Sequence, residues 1–286
     1  MLCLDVVQVI CDYCDLSTQI ALISSCEEFY HNLKIKKLNC SYEIGQRITQ
    51  EILQQKKFDR LQKLNATNNT KIISVNHLAN TLIELHCEWK CEINQEGINE
   101  LKVLQKLNAF NNSEITTVNY LANTLIELNC GGMCCGIYQK GIKNLKILQI
   151  LDAHYNTKIT SVNHLANKLI ELHCSGNSGI NQAGINKLKV LQKLDAYSNA
   201  KITSVNHLAD TLIELHCGGI SSINQAGINE LKVLQKLDAY SNAKITSVNH
   251  LANTLMELDC GGETCGINNL KVLTKLITHN NPKITQ

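Results

Sequence analysis

The chain has 286 residues, of which 44% are apolar and 18% charged, so it carries enough apolar side chains for a buried core and too little charge for a disordered chain. Its formal net charge of +2, from 27 basic and 25 acidic residues, provides no field that would hold a polyphosphate or an anionic bilayer, so neither nucleic acid nor membrane is an expected partner. No apolar run approaches the roughly 18 residues that cross a membrane.

The N-terminal residues MLCLDVVQVICDYCD carry three aspartates and lack a basic leader, so they do not predict a signal peptide. We therefore expect a cytoplasmic protein. In that compartment the 14 cysteines are expected to be reduced thiols, whereas the same number in a secreted chain would indicate a disulfide framework.

The segments LDVVQVICDY, LSTQIALISS and CEEFYHNL predict three short helices at the N-terminus, because their apolar residues recur at helical spacing. Together they resemble an F-box, with a leucine-acidic start, the stretch "I..Y.DL" at Ile10 to Leu16, an aliphatic helix, and then Cys26 and Phe29. The usual proline after Leu4 is missing, and Cys14 stands where that family prefers leucine.

The F-box resemblance implies that residues 1–34 dock on the small adaptor subunit of a cullin-based ubiquitin ligase. The side chains expected to make that contact are Leu4, Val7, Ile10, Leu16 and Ile20. The alternative is a helical cap that shields the first repeat, since solenoids need polar-faced ends. With either interpretation of residues 1–34, residues 35–60 are expected to form a capping repeat and an irregular helical connector, and residues 61–286 the repeats themselves.

One segment recurs almost unchanged along the rest of the chain. The string LKVLQKLDAYSNAKITSVNHLA stands at 188–209 and again, letter for letter, at 231–252. Each long unit of 43 or 44 residues splits into two halves of 21 or 22. Halves begin at Leu61, Leu82, Leu104, Leu125, Leu148, Leu169, Leu191, Leu212, Leu234, Leu255 and Leu273, and IKKLNC, with Leu38 and Cys40, forms an earlier one.

In the first half of a unit, Leu191, Leu194, Ala196 and Asn199 occupy positions one, four, six and nine, which is the LxxLxLxxN spacing of the leucine-rich repeat. The chain resembles that family over about residues 35–286. The resemblance implies an α/β solenoid with parallel strands on a concave face and short helical or 3-10 turns on the convex face. An F-box followed by such repeats is similar to proteins of large DNA viruses of amoebae, which share this Asn-, Ile- and Lys-rich composition.

The connectors between strands also carry a pattern. Ile202, Val205 and Leu208 recur every third residue, which predicts an inward-facing 3-10 or short helical turn. The other connector, INQAGINEL, contains Gly227 and is expected to form a turn followed by a short helix.

Stacking converts positions into columns. Position nine of the first halves is a structural asparagine in the family, here Asn69, Asn112, Asn156, Asn199, Asn242 and Asn281. The second halves depart from it with Lys90, Met133, Ile220 and Glu263, and only Asn177 conforms. Position six of the second halves is a cysteine column: Cys87, Cys130, Cys174, Cys217 and Cys260. Neighbours in this column lie two strands apart, about 10 Å, too far for a disulfide or a shared zinc ion. Buried thiols are therefore expected in this column, and no metal site is expected at the loop cysteines Cys91, Cys134, Cys135 and Cys265.

Three columns face outward on the concave side, and partner binding is expected at positions five and seven. Position three alternates lysine and glutamate except at Ile150, which predicts a self-neutralising face. Position five places histidines such as His173 and His216 beside aspartates such as Asp195 and Asp238, and a neighbouring carboxylate favours the imidazolium form. Position seven supplies flat side chains suited to protein contacts, namely Phe110, His154, Tyr197, Tyr240 and His279.

The sequence offers no phosphate loop, no HExxH and no unique constellation of unlike groups, so we expect neither an enzyme nor a cofactor. Two functions stay open. One is substrate recognition within a cullin-based ubiquitin ligase, with a protein substrate on the concave face. The other is a stand-alone binding scaffold whose N-terminal helices are only a cap.

Overall fold

The computed structural model describes residues 3–40, 45–261, 267 and 270–278. These residues form one open, all-parallel sheet in which each strand pairs with the next along the chain, as predicted for a leucine-rich-repeat solenoid. The twelve strands are β1 Lys37–Asn39, β2 Lys63–Asn65, β3 Glu84–His86, β4 Lys106–Asn108, β5 Glu127–Asn129, β6 Ile150–Asp152, β7 Glu171–His173, β8 Lys193–Asp195, β9 Glu214–His216, β10 Lys236–Asp238, β11 Glu257–Asp259 and β12 Lys275–Ile277.

Each strand occupies positions three to five of a half, so its central leucine points inward. Leu191, Leu194 and Ala196 of one half, and Leu212 and Leu215 of the next, are at most 1% exposed. Parallel register stacks the central leucines directly on one another, for example Leu194 on Leu215. Because a single half cannot bury these side chains, the fold is stabilised by contacts between neighbours.

The asparagine column holds the first halves together. Nδ2 of Asn199 donates to the carbonyl oxygens of Cys174 and Ile180 in the preceding half, and its Oδ1 accepts from the backbone nitrogen of Lys201. Asn112, Asn156 and Asn242 repeat this arrangement. The column is structural, as predicted, for its described members; Asn281 lies outside the described residues.

The second halves stay regular without this asparagine. Lys90, Met133 and Ile220 at position nine are exposed, and Glu263 lies outside the described residues. Small side chains just beyond position nine are buried instead: Cys91, Cys135, Ser178 and Ser221. The cysteine column is buried as well, and no disulfide links any two of the described cysteines; Cys265 is not described.

The convex side is built from short turns. Asn206–Leu208 and its equivalents are 3-10 turns, as the spacing predicted. In the other connector, Gly227 ends the 3-10 turn Gln225–Gly227, and the short helix expected after the turn is not present there. A Cβ at Gly227 would lie 2.2 Å from the backbone oxygen of Thr203, so this glycine permits close packing of neighbouring turns. Equivalent short helices are α5 Gln139–Ile142 and α6 Gln182–Ile185.

A glutamine in this connector links successive turns. Oε1 of Gln182 accepts from the backbone nitrogens of Thr203 and Ser204, and Gln95, Gln139 and Gln225 do the same one unit apart. These bonds satisfy backbone groups that would otherwise lie unpaired at the outer bend. Sequence reasoning had not identified this column.

Three helices precede the sheet, as predicted: α1 Leu4–Tyr13, α2 Leu16–Ile23 and α3 Glu27–Asn32. They pack on the first turns. The side chain of Gln8 bonds both the backbone nitrogen and the carbonyl oxygen of Lys34, and Lys36 pairs with Asp12 at 2.6 Å. The connector that follows contains the 3-10 turns Gly45–Arg47 and Lys56–Phe58 and the helix α4 Gln50–Leu53. No helix in the described part of the chain is long and apolar enough to cross a bilayer.

Candidate functional site

The concave face carries the predicted ladder of alternating charges at position three. Lys63 and Lys106 each lie 2.6 Å from the glutamate of the following strand. Lys193 contacts glutamates on both sides, 3.2 Å from Glu171 and 3.5 Å from Glu214. Because these ion pairs are exposed to water, which screens their attraction, each contributes at most about 1 kcal/mol to folding.

Position five brings histidines between carboxylates. Nε2 of His216 lies 2.7 Å from Oε1 of Glu214, and its Nδ1 lies 3.4 Å from Oδ2 of Asp238. His173 is placed likewise, between Glu171 at 2.6 Å and Asp195 at 3.6 Å. Only an imidazolium can donate from both ring nitrogens, so this geometry favours the charged form.

The pKa values of these histidines follow the geometry. The hydrogen bond to Asp238 and then that to Glu214, acting against burial, raise the pKa of His216 to about 9. The pKa of His173 is raised by Asp195 and Glu171 in the same way. The structure therefore brings together His173, His216, Asp195 and Asp238, as the sequence predicted.

The acidic and amide side chains of position five have a second role. Oδ1 of Asp195 accepts a hydrogen bond from the backbone nitrogen of Tyr197 at 3.0 Å, and Asp238 and Asn108 bond the nitrogen two residues later in the same way. Such turns end a strand because the side chain replaces the next backbone partner. Sequence reasoning treated these residues only as a polar surface.

The loops that leave the strands turn through a left-handed residue at position eight. Asparagine, glycine or serine occupies most of these places, as expected where φ is positive. Two bulky residues break the rule: Trp89, with φ 59° and 53% exposed, and Tyr155, with φ 56° and 48% exposed. A bulky residue in this conformation is strained, and such strain concentrates at functional positions.

These two residues join an aromatic cluster. The ring centroids of Trp89 and Phe110 are 5.0 Å apart, those of Phe110 and His154 are 5.0 Å apart, and those of His154 and Tyr155 are 5.8 Å apart. We call Trp89, Phe110, His154 and Tyr155 the aromatic rim. The sequence had placed Phe110 and His154 in one column but missed Trp89 and Tyr155, whose positions favour no aromatic residue.

Tyr197 and Tyr240, the other predicted position-seven residues, lie further along the same edge and are 36% and 39% exposed. A Cβ at Gly218 would lie 2.7 Å from the ring of Tyr197, so the glycine leaves room for that ring. His279, the last predicted member, lies outside the described residues.

The residues predicted to bind an adaptor divide between the two sides of the N-terminal helices. Val7 is only 5% exposed and packs on this chain's own core, and Leu4 and Leu16 are half-buried. Ile10 and Ile20 are exposed. Ile10 shares its surface with three residues that the sequence reasoning did not select, namely Val6, Val9 and Tyr13.

A second set of histidines lies on the convex side. Nε2 of His207 lies 3.1 Å from the carbonyl oxygen of Ile185, and His164 bonds Ile142 in the same way. Burial lowers the pKa of both rings, opposite to the concave set. Among the described residues, no group of three or more histidines, cysteines or acids is placed to hold a metal ion.

No protein-family model and no curated protein sequence matches the chain. Among solved structures, a leucine-rich-repeat protein of Leptospira interrogans is similar, with a TM-score of 0.53 and 19% identity over 94% of this chain and 82% of that one. The functional domain of InlJ from Listeria monocytogenes, which includes a cysteine ladder, has a TM-score of 0.43 and 19% identity, covering 79% of this chain and 59% of that one. The Rad7 and Elc1 complex of yeast has a TM-score of 0.44 and 14% identity, covering 96% of this chain and 88% of that one. At these identities the likeness concerns the fold, and the chain has the leucine-rich-repeat fold.

Proposed function

We propose that this protein binds another protein along the concave face of its sheet and the adjoining loop edge. The observation that carries the proposal is the row of rings at that edge, the aromatic rim followed by Tyr197 and Tyr240, in which Phe110 and His154 are half-buried and the other four are exposed. Aromatic side chains supply large contact areas at little entropic cost, and they dominate the energy of protein interfaces. Gly218 and Gly131 leave room for the rings of Tyr197 and His154 to lie close against the backbone.

Site-specific photocrosslinking tests this proposal. A benzophenone amino acid placed at Tyr197 or Tyr240 should capture protein from a cell extract, whereas the same probe at Lys187, on the convex side, should not. Tyr197→Ala combined with Tyr240→Ala should weaken binding of the captured protein at least tenfold, about 1.4 kcal/mol or more, without lowering the melting temperature. Capture mainly from Lys187 would defeat the proposal, and loss of folding in the double variant would show that the rings belong to the core.

We further propose that the N-terminal helices dock this binding surface on the adaptor subunit of a cullin-based ubiquitin ligase, so that the bound protein becomes its substrate. The specific observation is an apolar face at helical spacing on α1, formed by Val6, Val9, Ile10 and Tyr13, that stays exposed while Val7 and Cys11 pack inward. A helix that served only as a cap would need no such outer face.

The full-length chain provides the test, since α1 packs on the first turns. The purified adaptor should bind the wild type and should be lost when Val9→Asp and Ile10→Asp are combined. Asp5 is exposed on α1 but lies outside this apolar face, so Asp5→Asn serves as the control and should keep adaptor binding. Failure of the wild type to bind the adaptor would leave the helices as a cap and the concave face as a stand-alone scaffold.

A further inference from the structure

The charge ladder of the concave face is interrupted at one strand. In the register of β5, β6 and β7, the position-three residues are Glu127, Ile150 and Glu171. In the unit that follows, Lys193 stands between Glu171 and Glu214 and contacts both. Ile150 therefore lies where the repeat elsewhere places a lysine. A glutamate flanks it on each side, and no lysine of this strand lies between the two glutamates to contact both.

A depression of about 310 Å³ surrounds this break. One lysine faces four carboxylates there, and two histidines complete the charged lining: Glu84, His86, Lys106, Glu127, Asp152, Glu171 and His173. The matched depression at β9 to β12 contains two lysines and one histidine against four carboxylates, so it has one lysine more and one histidine fewer. The lysine missing from the first depression is the one that Ile150 replaces.

The two flanking glutamates retain capacity for a further donor. Among the described residues, Lys106 contacts Glu127 through Oε2, and both His173 and Lys193 contact Glu171 through Oε1. One oxygen of each carboxylate is thus not engaged by these ion pairs. Ile150 itself is half-buried and presents an apolar floor between them.

The aromatic rim borders the same depression. Asp152 lines the cavity and lies 2.5 Å from Nδ1 of His154, whose ring stacks on Phe110. Trp89 and Tyr155, the two strained and exposed residues, stand at the two ends of this stack. An apolar rim, an apolar floor and two glutamates with no lysine between them therefore occur together on β3 to β7.

We propose that this surface is the docking site for a protein segment that presents a lysine or arginine side chain. The aliphatic stem would pack on Ile150, the cationic head would lie between Glu127 and Glu171 as Lys193 does one unit later, and neighbouring apolar residues would pack on the aromatic rim. The assignment rests on the proposed protein-binding function and adds the chemistry of the partner. Charge complementarity favours this occupant over an acidic segment.

Selection of random linear peptides displayed on phage against the full-length protein tests the proposal. The selected peptides should be enriched in lysine or arginine next to aromatic or aliphatic residues. Ile150→Lys restores the ladder and fills the cation position from within, so it should keep the fold and weaken these peptides at least tenfold. Ile220→Lys adds the same charge at an exposed loop position outside the depression and should leave their affinity within about twofold.

The outcomes separate this inference from the proposed function. Peptides that depend on Trp89 or Phe110 but lack basic residues, or that bind Ile150→Lys as tightly as the wild type, would overturn the inference and leave concave-face binding intact. Peptides insensitive to every concave and rim substitution, or no selected peptide at all, would count against both. Glu127→Gln and Glu171→Gln remove the two carboxylates proposed to contact the cationic head, so each should weaken binding of the selected peptides without changing the melting temperature.

Discussion

The ring of Phe110 lies nearly parallel to that of His154, with 20° between their planes, although β5 separates the turns that carry them. Gly131 is the position-seven residue of the turn between them, and a Cβ there would lie 2.7 Å from Nδ1 of His154. The two rings therefore stack across the turn that follows β5, because its position-seven residue is a glycine without a side chain.

Gly131→Ala should break this stack. The added methyl has no room, so the His154 ring must move, and Phe110 and Trp89 should move with it. Overpacking of this kind costs about 1–3 kcal/mol. Trp89 is the single tryptophan of the chain, so a shift in its fluorescence emission reports the change directly. Ser175→Ala, at the same position two turns later, is the control; an unchanged emission spectrum of Gly131→Ala would contradict the prediction.

Asn199→Ala should destabilise the solenoid by about 1–3 kcal/mol, because it leaves buried backbone groups of two adjacent turns without partners. Asn177 occupies the same position in a second half but is exposed, so Asn177→Ala should change stability by no more than about 0.5 kcal/mol. Urea unfolding followed by circular dichroism compares the two. Equal effects would mean that the asparagine column does not carry the stability assigned to it.

His216 should stabilise the fold at low pH and lose that effect as the pH rises. Its pKa is raised in the folded protein, so the contribution is complete below about 6.5 and disappears as the pH passes about 9. Because the ring is about one-third exposed, the difference between wild type and His216→Gln should not exceed about 1 kcal/mol. Melting temperatures between pH 6 and 10 measure it, and Asp238→Asn should remove most of the same pH dependence.

The convex histidines should act with the opposite sign. Burial lowers the pKa of His207, so the neutral ring is favoured in the folded state and stability is lost as the pH falls below about 6.5. Tyr120 takes the equivalent place in another unit, which makes His207→Tyr a substitution that the fold already accepts. The variant should lose less stability than the wild type between pH 7 and 5, by about 0.5 kcal/mol for a partly exposed ring. A steeper loss on acidification would contradict the assignment.

The repeat spacing predicted most of the fold because the leucines at positions one and four serve one purpose in every turn. It predicted all twelve strands, the buried cysteine column and the charge pairs between neighbouring strands. It could not reveal the stack of Phe110 on His154, which is possible because Gly131 has no side chain where the equivalent residue two turns later is Ser175. Nor could it reveal the left-handed backbone of Trp89. The glutamine column was missed for a related reason, since Gln182 is polar and bonds backbone atoms that a sequence pattern does not mark. Val7 was grouped with Ile10 by helical spacing, but the contact with the first turns separates them.

The alternation of lysine and glutamate restricts how such a chain can change its length. Deleting β8 with its loops would bring Glu171 opposite Glu214, and like charges on adjacent strands repel. Removal or duplication of a complete unit preserves the alternation, and the identical copies at 188–209 and 231–252 belong to two such units. The concave surface can therefore lengthen by duplication in steps of two strands, roughly 10 Å, without any need for compensating substitutions.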